Sequence, residues 1–275
     1  MSVIAIIGAG PLAGALAHKL ATRNRVAEVR MIDAQDSIAR GKALDIVQSG
    51  PIDGFATRVS AASSVLAAAG ADVVVLADAV DGTEHAGEPA LAMLRQLSAS
   101  GIRGPWLFAG AMQRELMGRA IGELRLPAAA IVGSAPMALG AALRAMAALV
   151  LDTTPVEITL NVVGVPPRHA VIAWQEGTVG GQPLASALPA HHMAAIAGRV
   201  SSLWPPGPYA LASAAAQIAE GLCSGSRRQF SCFVDSGRGR IAALPVELRR
   251  GGIKRVLDPS LTSAERTALE TSLGA

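Results

Sequence analysis

Apolar residues in the first half of the chain follow two patterns, short unbroken runs and a helical repeat. Unbroken runs are typical of strands buried on both faces of a parallel sheet, and they stand at 3–7, 72–77, 105–108 and 129–132. Two mixed stretches, 28–33 and 57–60, are also predicted to be strands. Apolar residues at helical spacing separate them, at 12–20, 37–48, 63–69 and 89–98. This alternation predicts an α/β fold with a Rossmann-type doubly wound parallel sheet over residues 1–135.

The pattern changes near residue 136, where strands and helices become grouped. Helices are predicted at 137–151, 191–200, 210–222 and 262–272, and strands at 156–163, 170–174, 229–234 and 240–245. The first two of these strands flank a proline-containing loop, which indicates a hairpin. The grouping predicts a second α+β domain over residues 136–275.

Composition narrows the class of protein. Apolar residues make up 51% of the chain and charged residues 16%, which excludes a disordered chain. The net charge of +3 is small and the basic residues are scattered, so no nucleic-acid partner is expected. Pro127, Gly133 and Pro136 interrupt the charge-free stretch 126–143, which favours buried core over a membrane span. Only two cysteines are present, too few for a disulfide framework, and we expect a soluble cytoplasmic protein.

The first apolar run ends in the glycine-rich turn GAGPLAG at 8–14. Gly8 lets the strand turn sharply, and Gly10 has no Cβ to keep a pyrophosphate from the backbone. The helix that Pro11 and Leu12 begin would point its first amides at that negative charge. We therefore expect dinucleotide binding here, and Gly10→Val to abolish it in a protein that still folds, with a positive φ at Gly10 adding strain. The pattern alone is weak, because any strand–helix turn can carry two glycines.

Asp33 strengthens this prediction. It ends the second strand about 20 residues beyond the glycines, where a carboxylate binds the ribose hydroxyls of a dinucleotide. Asp33 would repel the 2′-phosphate of NADP, and Ala34 offers no compensating cation, so NAD is the expected cofactor. The alternative is an ordinary cap at the end of the strand.

The order of these motifs resembles the lactate/malate dehydrogenase family over nearly the whole chain. The most specific match is GKALD at 41–45 followed by PIDGF at 51–55. Further similar segments are the glycine turn with MIDA at 31–34, TVGGQPL at 178–184 and the alanine-rich helix 209–220. The resemblance implies an NAD-linked oxidation of 2-hydroxy acids and a homodimer or homotetramer.

The residues that this chemistry needs are replaced. The family carries its catalytic histidine in a Gly-Gly-His-Gly-Asp loop, and the matching segment 164–168 places Pro166 at the histidine. Ala138 and Ala141 stand at the positions of the orienting aspartate and of a substrate-binding arginine, and Gly110 at that of an asparagine on the nicotinamide side. Proline transfers no proton, and alanine can neither orient a histidine nor bind a carboxylate.

The mobile loop of the family, normally basic, matches the acidic segment LADAVDGTEH at 76–85. His85 with Asp81 and Glu84 could bind a cation, but a solvated loop is the expected state. His169, next to Arg168, could form a relocated pair of base and anion-binding group; the alternative is an exposed hairpin end.

Two hypotheses follow. In the first, the chain is a catalytically silent or regulatory relative that binds NAD. In the second, it is a divergent NAD-dependent oxidoreductase whose substrate needs no pair of arginines. The retained glycine turn and Asp33 support the second, and the joint loss of base, orienting acid and arginine favours the first.

Overall fold

The computed structural model describes residues 2–102, 104–237 and 239–274. Its strands are β1 (Val3–Ile7), β2 (Glu28–Ile32), β3 (Arg58–Ala62), β4 (Val73–Leu76), β5 (Trp106–Phe108), β6 (Ile131–Gly133), β7 (Ile158–Thr159), β8 (Val162–Val165), β9 (His169–Ile172), β10 (Thr178–Val179), β11 (Gln182–Pro183), β12 (Gln229–Asp235), β13 (Ile241–Arg249) and β14 (Gly252–Val256). Its α-helices are α1 (Pro11–Arg23), α2 (Asp36–Asp53), α3 (Gly87–Ala99), α4 (Arg114–Gly122), α5 (Ala135–Leu151), α6 (Leu184–Ala187), α7 (Ala190–Ala197), α8 (Pro208–Ser224) and α9 (Ser263–Gly274).

The first six strands form a parallel sheet in the order β3-β2-β1-β4-β5-β6. This is the order of a dinucleotide-binding sheet, whose direction of winding reverses between β1 and β4. The unbroken apolar runs form these strands because helices cover both faces, and β4 is buried along its whole length. The predicted α/β fold with a doubly wound sheet is confirmed.

The second half of the chain extends the same sheet. β12 pairs antiparallel with β6, and β13, β8 and β9 follow outward. One hydrophobic cluster runs through the large sheet and includes Phe230 and Phe233 of β12. A smaller cluster forms under the second half, around Leu139 and Leu143 of α5. The division at residues 135/136 stays a prediction, since the sheet continues across it.

Two of the predicted elements differ from the structure. The strand expected at 156–163 is divided: β7 joins β10 and β11 in a small separate sheet, whereas β8 pairs with β9 and β13 in the large one. Asn161 lies at the break, where its side-chain amide donates to Glu176 over 2.7 Å. The helix expected at 63–69 is a single 3₁₀ turn, Val65–Ala68, which begins at Ser64, whose hydroxyl accepts from the Leu66 amide.

The sequence pattern also missed α4, a short helix of nine residues that buries only Leu116, Met117 and Ala120. No helix in the described part of the chain combines the length and apolarity that a membrane crossing requires.

Candidate functional site: the dinucleotide groove

The candidate site lies at the carboxyl edge of the parallel sheet, where strands β1, β2, β4 and β5 end side by side. The glycine turn follows β1, and Asp33 follows β2. An acidic loop, residues 77–86, joins β4 to α3, and Gly110 follows β5. Ligands of such sheets bind in this crevice, next to the point where the winding reverses.

The glycine turn shows which position needs a glycine, and why. Gly8 has φ of +121°, a conformation that residues with a Cβ rarely adopt. Gly10 has φ of −75° and ψ of −171°, so the positive φ expected there is wrong. Gly10 needs to be a glycine for lack of space: a Cβ would overlap the Ala79 carbonyl and the Asp78 carboxylate.

Asp78 occupies the amino terminus of α1. Its side chain is buried, with 4% of the residue exposed. One carboxylate oxygen accepts from the Leu12 amide over 3.0 Å, and the other accepts from the Ala13 amide over 2.8 Å. The Asp78 carbonyl also accepts from the Gly10 amide over 3.0 Å. The amides of this helix terminus are therefore engaged by an anion of the chain itself, in the position that the sequence assigns to a pyrophosphate.

Glu84 anchors the other end of the acidic loop. Its two carboxylate oxygens accept from the amides of Ala111 and Met112, each over 2.8 Å. A Cβ on Gly110 would overlap this carboxylate. Burial raises the pKa of Glu84, while the two amide hydrogen bonds oppose the shift. Glu84 thus lies where the resemblance places the nicotinamide side of the groove.

His85 lies between these anchors and the end of β2. Burial lowers its pKa, and the carboxylate of Asp33 and the backbone of Ile7 are among the neighbouring groups that oppose this shift. Its Nε2 atom is buried and has no hydrogen-bond partner among the described residues. The imidazole is held inside the groove.

The expectation of a solvated loop is therefore wrong for most of the segment. Asp78 is buried, and Glu84 and His85 are half-buried, because backbone amides on two sides of the groove bind the two carboxylates. Only the tip is exposed, where Asp81 accepts from the amide and hydroxyl of Thr83. Within the described ranges, no group of three His, Cys, Asp or Glu residues is arranged to hold a metal ion.

Two side chains that the sequence analysis did not single out support the groove. Gln113 is 1% exposed; its carbonyl oxygen accepts from the Gly110 amide over 3.0 Å, and its amide donates to the Ala77 carbonyl over 3.3 Å. Lys42 donates to the carbonyl of Ala9. The sequence signal for Lys42 is its place in the GKALD segment, whereas nothing in the pattern identified Gln113.

Asp33 lies at the carboxyl end of β2, half-buried, next to the groove. Its Oδ1 atom accepts from the Gln35 amide over 2.9 Å. Helix α2 begins after Gln35, so Asp33 stabilises the turn that leads into the helix and does not itself cap it. Its second oxygen forms no hydrogen bond with a described residue.

The positions at which the resemblance places the base and its orienting acid hold Pro166 and Ala138, and neither side chain transfers protons. Pro166 is buried in the turn between β8 and β9, and Ala138 of α5 is 1% exposed. Ala141 is half-buried on the same helix. Arg168 and His169 are both exposed at the end of the hairpin. The structure therefore does not turn His169 inward as a relocated base.

In this conformation the groove does not fit a dinucleotide. A pyrophosphate needs the free amides at the start of α1, and the Asp78 carboxylate already takes those of Leu12 and Ala13. The negative charge of a pyrophosphate at that position would repel the Asp78 carboxylate strongly, because charges in a buried site are poorly screened. The glycine turn is thus packed against the chain's own loop.

Comparisons with known proteins agree with the fold. Residues 2–88 match the sequence profile described as lactate/malate dehydrogenase, NAD binding domain. A malate dehydrogenase of Thermomicrobium roseum is 27% identical over 99% of this chain and 95% of its own length. Among solved structures, the minor L-lactate dehydrogenase of Enterococcus mundtii is 19% identical, covers 99% of this chain and 95% of its own, and has a TM-score of 0.88. A Cryptosporidium parvum lactate dehydrogenase, in complex with lactic acid and nicotinamide adenine dinucleotide, is 20% identical with a TM-score of 0.86, at 99% and 95% coverage.

The fold and the match of residues 2–88 place the first half of the chain with NAD-binding domains of the Rossmann type. Over nearly its whole length the chain is similar to malate and lactate dehydrogenases, and residues 2–88 match the NAD-binding domain of that family. The expected cofactor, NAD, is confirmed as the cofactor of the domain that residues 2–88 match.

Proposed function

We propose that this chain is a catalytically silent member of its family, able to bind NAD but without 2-hydroxy-acid dehydrogenase activity. The observation that supports the proposal is that Pro166, which the resemblance places at the catalytic histidine, is buried in the hairpin turn. Ala138 and Ala141 supply neither an orienting carboxylate nor a guanidinium beside it. A buried turn without a base cannot accept the hydroxyl proton that must leave during oxidation.

The alternative is a divergent NAD-dependent oxidoreductase, supported by the retained glycine turn and by Asp33. A screen of alcohols with NAD and of keto acids with NADH separates the two. We expect no turnover above the enzyme-free rate for any of these substrates. Turnover of one of them, carried by the purified chain and lost on unfolding, would favour the alternative.

We expect NAD to bind more tightly than NADP, because the Asp33 carboxylate would repel a 2′-phosphate and Ala34 brings no cation. Asp33→Ala is expected to weaken NAD binding by about 1–3 kcal/mol, the scale of hydrogen bonds to a charged group. Calorimetric titration with both cofactors measures this. Asp36→Ala is the matched control, since Asp36 pairs with Arg40 in the first turn of α2. NADP binding as tight as that of NAD would contradict the prediction.

We also propose that the chain forms a homo-oligomer, a dimer or a tetramer. Helix α2 turns four large apolar side chains away from the sheet and into solvent, those of Ile38, Leu44, Val47 and Ile52. Leu44 and Val47 are neighbours on the helix surface, three positions apart, and exposed apolar side chains that lie together mark interfaces between proteins. No nucleic-acid or membrane partner is proposed.

The double variant Leu44→Glu/Val47→Glu is expected to be a monomer in sedimentation velocity, while the wild type sediments as a dimer or larger. Leu66→Glu, at an exposed apolar position outside α2, is the control and should sediment like the wild type. A monomeric wild type at micromolar concentration would contradict the proposal.

A further inference from the structure

The acidic loop, residues 77–86, is bound to the groove at both of its ends. Asp78 binds the start of α1, and Glu84 binds the turn after β5. Between them the loop closes on itself: the Ala79 amide donates to the Thr83 carbonyl over 2.9 Å, and the Gly82 amide donates to the Ala79 carbonyl over 2.8 Å. The loop is therefore a compact unit held by two carboxylates.

The two carboxylates bind the kind of donors that the phosphates and polar groups of a dinucleotide would use. Backbone amides at a helix terminus bind an anion, whether it is a carboxylate of the chain or a phosphate of a ligand. A hydrogen bond to a charged acceptor is stronger than a hydrogen bond to a neutral acceptor. The anion of the loop is attached to the chain, so it competes as an intramolecular ligand at high effective concentration. A dinucleotide from solution can occupy the groove only when Asp78 has left it.

We propose that the acidic loop is an autoinhibitory segment that closes the NAD groove, with the Asp78 carboxylate in the place of the pyrophosphate. The inference rests on the proposal that this groove takes NAD, and it adds a regulation of that site. The wild type then exists mostly in a closed form, and its apparent affinity for NAD is reduced by the fraction of molecules that are open.

The test is calorimetric titration of the full chain with NAD, in the wild type and in Asp78→Ala. We expect Asp78→Ala to bind NAD at least about 10-fold more tightly, because the closed form loses its charge-assisted bonds to two amides. The same variant should unfold at a lower temperature in the absence of NAD. A lower stability of the unliganded protein together with tighter NAD binding indicates an inhibitory contact. Loss of a merely structural contact would lower the stability without tightening NAD binding.

Two further variants sharpen the result. Glu84→Gln weakens the second anchor and should tighten NAD binding in the same direction. Asp81→Asn is the matched control: Asp81 lies at the exposed tip of the same loop, bonds to Thr83 and forms none of the bonds that hold the loop to the groove. Removing its charge should change the affinity less than about threefold, as expected of an exposed charge.

Hydrogen exchange follows the loop directly. The amides of Leu12 and Ala13 should exchange faster in unliganded Asp78→Ala than in the wild type, and saturating NAD should slow them again. Equal or weaker NAD binding by Asp78→Ala, or no binding by it at millimolar NAD, would overturn the inference. Dehydrogenase turnover measured on the same preparations tests the proposed function separately, since a silent chain can have an open or a closed groove.

Discussion

With malate or lactate and NAD, the purified protein is expected to show no turnover above the enzyme-free rate. General base catalysis is worth about 10²–10⁴-fold, and each charge-stabilising donor about 10²–10³-fold. The resemblance places Pro166 and Ala141 at the positions of the base and of one such donor. Pro166→His is expected to stay inactive as well, because Ala138 cannot orient an imidazole and Ala141 cannot bind a carboxylate. NADH absorbance, followed beside an active malate dehydrogenase, measures the rates.

The contradicting outcome is turnover of either 2-hydroxy acid by the wild type. His169 would then be the first candidate base, and His169→Ala would have to abolish the activity. Recovery of turnover in Pro166→His alone would also contradict the prediction, since it would show that the remaining groups still bind and orient the substrate.

Adding one methyl group at Gly10 is expected to destabilise the unliganded protein. This differs from the expectation drawn from the sequence, in which Gly10→Val affects dinucleotide binding and leaves the fold intact. In Gly10→Ala the new Cβ would overlap the Ala79 carbonyl and the Asp78 carboxylate. We expect a loss of about 1–3 kcal/mol in the free energy of unfolding, the usual cost of overpacking. Denaturant unfolding measures it.

Gly14→Ala is the matched control on the same helix. Its Cβ would lie 3.7 Å from Lys42 Cδ, an ordinary contact. Because a glycine inside a helix costs about 0.5–1 kcal/mol relative to alanine, this variant should be as stable as the wild type or more so. The double variant Gly10→Ala/Asp78→Ala should remain destabilised, since the Ala79 carbonyl is still in the way. Equal stability of Gly10→Ala and the wild type would show that the loop does not pack against the turn.

The parallel half of the fold could be predicted from the sequence because its signals are local. The strands β1, β4, β5 and β6 are predicted by unbroken apolar runs, and most helices between the strands repeat their apolar residues every three or four positions. The glycine turn and Asp33 could likewise be placed at the ends of β1 and β2. The loss of catalytic groups at Pro166, Ala138 and Ala141 rested on the resemblance to a family, since composition and periodicity do not identify a missing base.

The tertiary structure decided what the acidic loop does. In sequence, a segment with three carboxylates and a histidine is typical of a solvated loop. The sheet brings the end of β4 next to the glycine turn, and only this contact between residues 66 positions apart shows that Asp78 binds the Leu12 amide. The division of the strand at Asn161 could not be predicted from the sequence for the same reason. Strand pairing depends on partners that are distant in sequence. Local patterns thus determined most of the helices and strands. The contact of the Asp78 carboxylate with the amides at the start of α1 depended on the tertiary structure, because it joins residues distant in sequence.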